Sequence, residues 1–356
     1  MSGIKAVDLH APNCFDLGHQ GVRERPAWAQ QLLMDLQQRS SKMPLSRRHV
    51  LLGTLAAPAI VRQARAETLV KVGTLKLIHS ITPYFYERFV PAGTSVQIVP
   101  FESPTDSKDA VVSGSVDFAT FGIAAGILAA AQRQPVVVIA SACDKGMAIV
   151  AGKNSGIDKL ADLKGKRVAI WPGSTQEVFV LDRLRMEGMS VRDITPVRVS
   201  FSEMNAALAR GDVDAYVGAE PAPSVSVSTG VGKIVEFPYS TPMGSLNMIL
   251  ATSRDTVEKR PELCKLMVSL QRQASLYAMQ KPNEMVAMTV AKLGMQKAAV
   301  ELAVSNVDLN WQMTPQMIQR SETYAEQMLA LKQIRAMPDF PTFFDTKFSD
   351  EVAKEA

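Results

Sequence analysis

Cysteine and histidine are scarce in this chain, with three and four copies among 356 residues, and only Cys143, Cys264 and His79 lie beyond residue 66. One histidine and two distant cysteines cannot supply a histidine-rich metal site, a cysteine cluster or a redox pair. The two cysteines read as buried thiols, with a disulfide between them as the alternative. There is also no Gly-x-Ser-x-Gly elbow, no Gly-x4-Gly-Lys-Ser/Thr phosphate loop and no His-Glu-x-x-His helix. These absences argue against the familiar hydrolase, nucleotide-binding and metalloprotease chemistries, and no cofactor is expected.

Excess charge is missing as well. The formal net charge is +4, but nine of the 39 basic and four of the 35 acidic residues fall in residues 1–66. From Glu67 onward 30 basic residues face 31 acidic ones, which removes a whole-protein case for nucleic-acid binding. No segment beyond residue 66 reaches the ~18 uninterrupted apolar residues a bilayer span needs, so the mature chain is expected not to be membrane-embedded.

The basicity sits in a front end that reads as an address. Ser46-Arg47-Arg48-His49-Val50 opens a twin-arginine stretch, an apolar run follows from Val50 to Val61, and Ala64-Arg65-Ala66 forms a small-x-small cleavage site. Residues 1–66 are therefore expected to be an extension plus an export signal that is removed. Met43 is a second candidate start.

The body carries one design twice: Ala110-Val-Val-Ser-Gly-Ser-Val-Asp-Phe-Ala-Thr-Phe-Gly122 and Ala206-Ala-Leu-Ala-Arg-Gly-Asp-Val-Asp-Ala-Tyr-Val-Gly218. In each, an apolar helical turn stops at a glycine suited to a left-handed cap (Gly114, Gly211), and Val-Asp then opens a strand. Two similar lobes and a cleft between them are implied. Short apolar runs at 68–74, 96–101, 116–120, 136–140, 167–171, 197–201, 213–217 and 246–251 alternate with helical stretches, which predicts mostly parallel α/β sheets. The glycine-marked stretch after Met147–Ala151 is the candidate first crossing between lobes, and Pro242–Leu246 the candidate return. Lobe 1 is expected to comprise residues 67–149 plus 249–356, and lobe 2 residues 150–248. Helical spacing at 254–279, 283–293 and 314–334 predicts a helical C-terminal region, with a loosely attached tail after Pro338.

Four loops fall at predicted strand ends, where ligands bind in open α/β sheets. Val168-Ala-Ile-Trp-Pro-Gly-Ser-Thr-Gln-Glu177 breaks at Pro172-Gly173, placing Ser174 as helix N-cap with Glu177 at capping-box spacing. The helix start favours an anionic or strongly accepting ligand group, so Ser174 and Thr175 are ligand candidates beyond the capping role. His79 and Ser80 follow the first strand, and Gly122 and Ile123 the third. A lone histidine is as readily structural as ligand-binding. Glu220, ahead of Pro221, either receives an amine or ring N–H or braces the hinge. Asp117 and Asp214 read as structural turn residues.

Asp162-Leu-Lys-Gly-Lys-Arg-Val-Ala-Ile, then Pro172-Gly-Ser-Thr, Ala207-Leu-Ala-Arg-Gly-Asp-Val-Asp-Ala and Glu220-Pro, in that order, resemble periplasmic substrate-binding proteins of ABC importers of the nitrate, sulfonate and taurine type. Gly114-Ser-Val-Asp-Phe-Ala and Lys259-Arg-Pro-Glu-Leu fit the same pattern. The resemblance implies a monomeric, two-lobed type II clamp in the periplasm that closes on a small solute and presents it to a permease and an ATPase. It places ligand contacts at His79, Ser80, Gly122, Ile123, Ser174, Thr175 and Glu220, with no catalytic residue. The four loops lack the arginine common in sulfonate-holding relatives, which leaves room for a heterocycle such as a pyrimidine vitamin precursor. An enzyme similar to the pyrimidine synthases of thiamine formation, or a periplasmic sensor, is the alternative.

Overall fold

The Val-Asp joint is built the same way twice in the computed structural model, which describes residues 68–355. Asp117 accepts the backbone N–H of Lys71 at 2.8 Å, and its own N–H donates to the Lys71 carbonyl at 2.9 Å. Asp214 does the same to Arg167, also at 2.8 and 2.9 Å. Each aspartate is then paired with an arginine, Arg260 at 2.6 Å and Arg167 at 2.7 Å. Gly114 and Gly211 stand just before the joints at φ +73° and +74°, where a Cβ would be strained. Both aspartates thus stitch a strand to its parallel neighbour, the turn role their spacing predicts.

Two sheets result. The first has the order β11-β4-β10-β3-β1-β2, from β1 (Thr68–Leu75), β2 (Thr94–Phe101), β3 (Phe118–Gly122), β4 (Val136–Lys145), β10 (Leu246–Ser253) and β11 (Val307–Leu309). The second has the order β7-β6-β8-β5-β9, from β5 (Met147–Gly152), β6 (Arg167–Ile170), β7 (Thr195–Arg198), β8 (Ala215–Ala219) and β9 (Gly232–Glu236). The trios β2-β1-β3 and β7-β6-β8 are parallel and in matching order. Beside each trio the strand arriving from the other sheet, β10 or β5, runs antiparallel. The sheets are therefore mixed where mostly parallel ones were predicted. An apolar run gives no direction, and the strands that change sheet enter from the opposite end.

Helices cover both sheets: α1 (Pro104–Val112), α2 (Ile123–Ala131), α3 (Thr175–Met186), α4 (Met204–Arg210), α5 (Ala222–Ser228), α6 (Arg254–Lys259), α7 (Pro261–Gln280), α8 (Pro282–Leu293), α9 (Lys297–Val304), α10 (Pro315–Ala330), α11 (Phe340–Phe343) and α12 (Lys347–Lys354). The C-terminal helices pack mainly on the first sheet, as predicted, but α9 reaches across to α5 on the second. The segment after Pro338 is not loosely attached: Phe343, Phe344, Phe348 and Val352 are buried, and Phe344 bridges to Val138. Its apolar residues are grouped for two short helices, a signal that composition alone dilutes.

The chain crosses between sheets earlier than predicted. Met147–Gly152 is a full strand of the second sheet, and the crossing is the Lys145-Gly146 pair between β4 and β5, both at positive φ (+62° and +77°). The return runs between the end of β9 at Glu236 and the start of β10 at Leu246. The strands thus change sheet at 145/147 and 246, where the sequence placed lobe boundaries at 149/150 and 248/249. A glycine-rich polar stretch signals a turn but not which turn changes sheets.

Candidate functional site

The carboxyl ends of β1 and β3 in one sheet meet those of β6 and β8 in the other, and the four candidate loops lie along this seam. All seven candidate residues are buried. What distinguishes them is which polar groups the fold already uses.

Three serve the local fold. Ser80 Oγ sits 2.9 Å from Thr74 Oγ1 and 2.5 Å from Thr120 Oγ1, and accepts the Leu75 N–H at 3.1 Å. This buried hydroxyl cluster folds the loop after β1 back onto the sheet. Ile123 packs in the core behind α2. Ser174 caps α3, accepting the Glu177 N–H at 3.1 Å and donating to the Trp171 carbonyl at 2.6 Å. Glu177 reaches back to the Gly173 N–H at 2.8 Å and also accepts from Gln333 across the seam at 2.9 Å. Burial raises the Glu177 pKa, opposed by those two donors.

Gly122 and Thr175 bring two helix starts together. Gly122 is the N-cap of α2, with no side-chain cap, and a Cβ there would collide with Thr175 Oγ1. Thr175 in turn donates to the Asn247 carbonyl at 3.5 Å. The first backbone N–H groups of both helices have no intrahelical acceptor, and the positive ends of two helix dipoles converge here. A Cβ at Gly173 would meet the side chains of Leu128 and Thr105, on the first sheet's helices, at 3.7 Å.

His79 and Glu220 flank the crossing. The His79 ring lies against Gly146, and both ring nitrogens are buried without a hydrogen-bond partner. Burial lowers its pKa to about 3, so the ring is neutral at ordinary pH. Glu220, joined to Pro221 by a cis peptide, ties the sheets together. Its carbonyl accepts the Ile78 N–H at 3.3 Å, and its N–H donates to the Gly146 carbonyl at 2.8 Å. Its carboxylate accepts from Asn306 Nδ2 at 2.6 Å and from the Ser224 N–H at 3.2 Å. Burial raises its pKa, and those donors oppose the rise. Of the two roles open to Glu220, these contacts describe the brace.

Sequence reasoning missed the residues that organise the crossing. Asn247, at the start of β10, donates through Nδ2 to the Lys145 carbonyl at 2.5 Å, while its Oδ1 is buried and unpartnered. Tyr239 clamps Met147, accepting its N–H at 2.9 Å and donating to its carbonyl at 2.8 Å. Gly146 is hemmed by His79 and Val307 and donates to the Asn306 carbonyl at 2.9 Å. An asparagine inside the apolar run Leu246–Ala251 was the available signal for the first of these. Among the described residues no group of three His, Cys, Asp or Glu could hold a metal, and no helix is long and apolar enough to cross a membrane. Cys143 and Cys264 are separate buried thiols, and burial pushes the pKa of each upward.

Two mixed sheets whose strand ends face each other, joined by short crossings and flanked by helices, define the α/β architecture of two-lobed periplasmic binding proteins. The alkanesulfonate-binding protein SsuA from Xanthomonas axonopodis pv. citri, solved bound to MOPS, shares it with a TM-score of 0.71 at 21% identity, over 78% of this chain and 98% of that one. Residues 85–285 match the family described as NMT1/THI5 like, and the chain belongs to that family. Its relatives include the taurine-binding periplasmic protein of Escherichia coli (strain K12), 29% identical over 63% of this chain and 69% of that protein. They also include an enzyme, the 4-amino-5-hydroxymethyl-2-methylpyrimidine phosphate synthase of Aspergillus parasiticus, 30% identical over 37% of this chain and 39% of that one.

Proposed function

We propose that this chain is the periplasmic solute-binding component of an ABC importer, closing two lobes over a small sulfonate-, taurine- or nitrate-like organic solute and delivering it unchanged to a permease and its ATPase. The lobes are the two sheets with their helices, hinged at Lys145-Gly146 and the return before Leu246. One observation carries the reading: the starts of α2 and α3, one from each sheet, abut at Gly122 and Thr175. A group with lone pairs seated there would receive backbone N–H donors from both lobes and so favour the closed arrangement. His79, Gly122, Thr175 and the backbone at Glu220 border that position, with Ser80, Ile123 and Ser174 supporting them. The likeness to named binding proteins supports transport over chemistry.

The test is a thermal-shift screen of residues 67–356 against sulfonates, taurine, nitrate, carboxylates and pyrimidines, with small-angle scattering on every hit. A solute present at 100 times its Kd should add about 2.7 kcal/mol of stability, reduce the radius of gyration, and be recovered intact. Recovery of a converted product would favour the synthase-like reading that the Aspergillus parasiticus relative keeps open. Absence of any stabilising solute across the screen would count against the clamp itself.

A further inference from the structure

We infer that Asn247 is a specificity residue of the seam, and that the solute it selects carries an amine or amide N–H beside its oxygen-bearing head group. The inference rests on the clamp reading above. It starts from the buried polar atoms the fold leaves over. Asn247 Nδ2 is fixed by the Lys145 carbonyl, which can only accept, so the free atom is the acceptor Oδ1. The neutral His79 ring, lying against the next residue, Gly146, adds one more acceptor and one donor without partners. Asn247 also joins the two halves of the site, because its own carbonyl takes the Thr175 hydroxyl that abuts Gly122. In this proposal a solute whose head meets the two helix starts lies beside the residue that carries Oδ1.

A plain oxyanion offers only acceptors and would leave Oδ1 as it is. Buried polar groups are nearly always satisfied, so the complementary ligand brings a donor. The charges agree. Glu220 and Glu177 on the seam are both acidic, and Asp144 lies beside the crossing. The nearby cations are engaged elsewhere: Lys76, in the loop after β1, is half-exposed and pairs with Glu102 at 2.5 Å, Lys145 is half-exposed 3.9 Å from Asp308, Arg320 pairs with Asp144 at 3.6 Å, and the exposed Arg198 stacks on Trp171 at 5.0 Å. The surroundings of Oδ1 thus suit an ammonium or amide and lack the side-chain cation that a bare sulfonate or nitrate calls for.

Matched probes test this by calorimetry on residues 67–356: taurine against ethanesulfonate, and β-alanine against propionate. Each pair shares its head group and differs by the amine. The amine member of at least one pair should bind roughly tenfold or more tightly than its partner, the scale of one charge-assisted hydrogen bond. Asn247→Leu should remove that preference: loss of the bond to Lys145 is common to both members, and the amine member should lose roughly tenfold more affinity than its partner. A purely structural role for Asn247 would weaken both members alike, which would overturn the assignment. Should the variant fail to fold, the wild-type pairs decide alone. Equal binding within the pairs, binding of neither amine, or tight binding of nitrate would each overturn the inference. A nitrate-bound, compacted protein would do so while leaving the clamp standing, whereas a chain stabilised by no compound in the wider screen would remove the clamp as well.

Discussion

His79 sits fully buried against Gly146 with both ring nitrogens unpartnered, and burial pulls its pKa from 6.5 to about 3. Below pH 6.5 the unfolded histidine takes up a proton that the native one refuses. Stability present above 6.5 is therefore lost progressively as pH falls toward 3, at a limiting slope of about 1.4 kcal/mol per pH unit. Glu177, Glu220 and Asp144 have pKa values raised by burial and pull the other way. Comparison with His79→Gln isolates the histidine, since those carboxylates are common to both proteins. Urea unfolding at pH 7 and pH 5 should show the wild type losing about 2 kcal/mol more than the variant. Equal losses would mean that the native ring already meets water.

At the scale of the element, α3 is where packing and binding meet. Ser174 satisfies the Glu177 N–H, and replacing it with alanine should cost about 1 kcal/mol in unfolding measurements. Gly122→Val is the sharper variant. Its side chain would occupy the place of Thr175 Oγ1 and push the start of α3 away from β3, on two elements that belong to different sheets. Solute affinity should fall by roughly tenfold or more, with the larger change in the dissociation rate, while the melting temperature without solute moves little. Undiminished affinity would separate the Gly122–Thr175 contact from the binding step.

At the scale of the molecule, the sheets touch through more than the seam. Phe179 of α3 meets Tyr324 of α10 edge to face at 5.3 Å, and α9 packs on α5. Opening must separate these contacts about two short crossings, which Tyr239 and Asn247 tie together by bonding Met147 and Lys145, and this makes hinge rotation the available motion. Export belongs to this scale too. If Arg47 and Arg48 address the chain to the twin-arginine route, their joint replacement by lysine should abolish appearance in the periplasmic fraction, followed by immunoblot. Unchanged export would assign that stretch another role; it lies outside the described residues.

The local pattern of this sequence determined the duplicated joints, the strand-end loops and the Ser174 cap, because each is marked by neighbours a few residues apart: a glycine where φ turns positive, a Val-Asp pair just ahead of a strand, a serine ahead of a helix. The tertiary structure decided the rest. Strand direction in the mixed sheets, the crossing at Lys145-Gly146 and the burial of the C-terminal helices follow from which surfaces meet, which no local run records. The site divides the same way. His79, Gly122 and Thr175 were legible as strand-end residues, but Asn247 looked like one polar residue in an apolar strand. Its importance comes from contacts far off in sequence: Lys145 takes up one side of its side-chain amide and leaves the other free, while its backbone carbonyl holds Thr175.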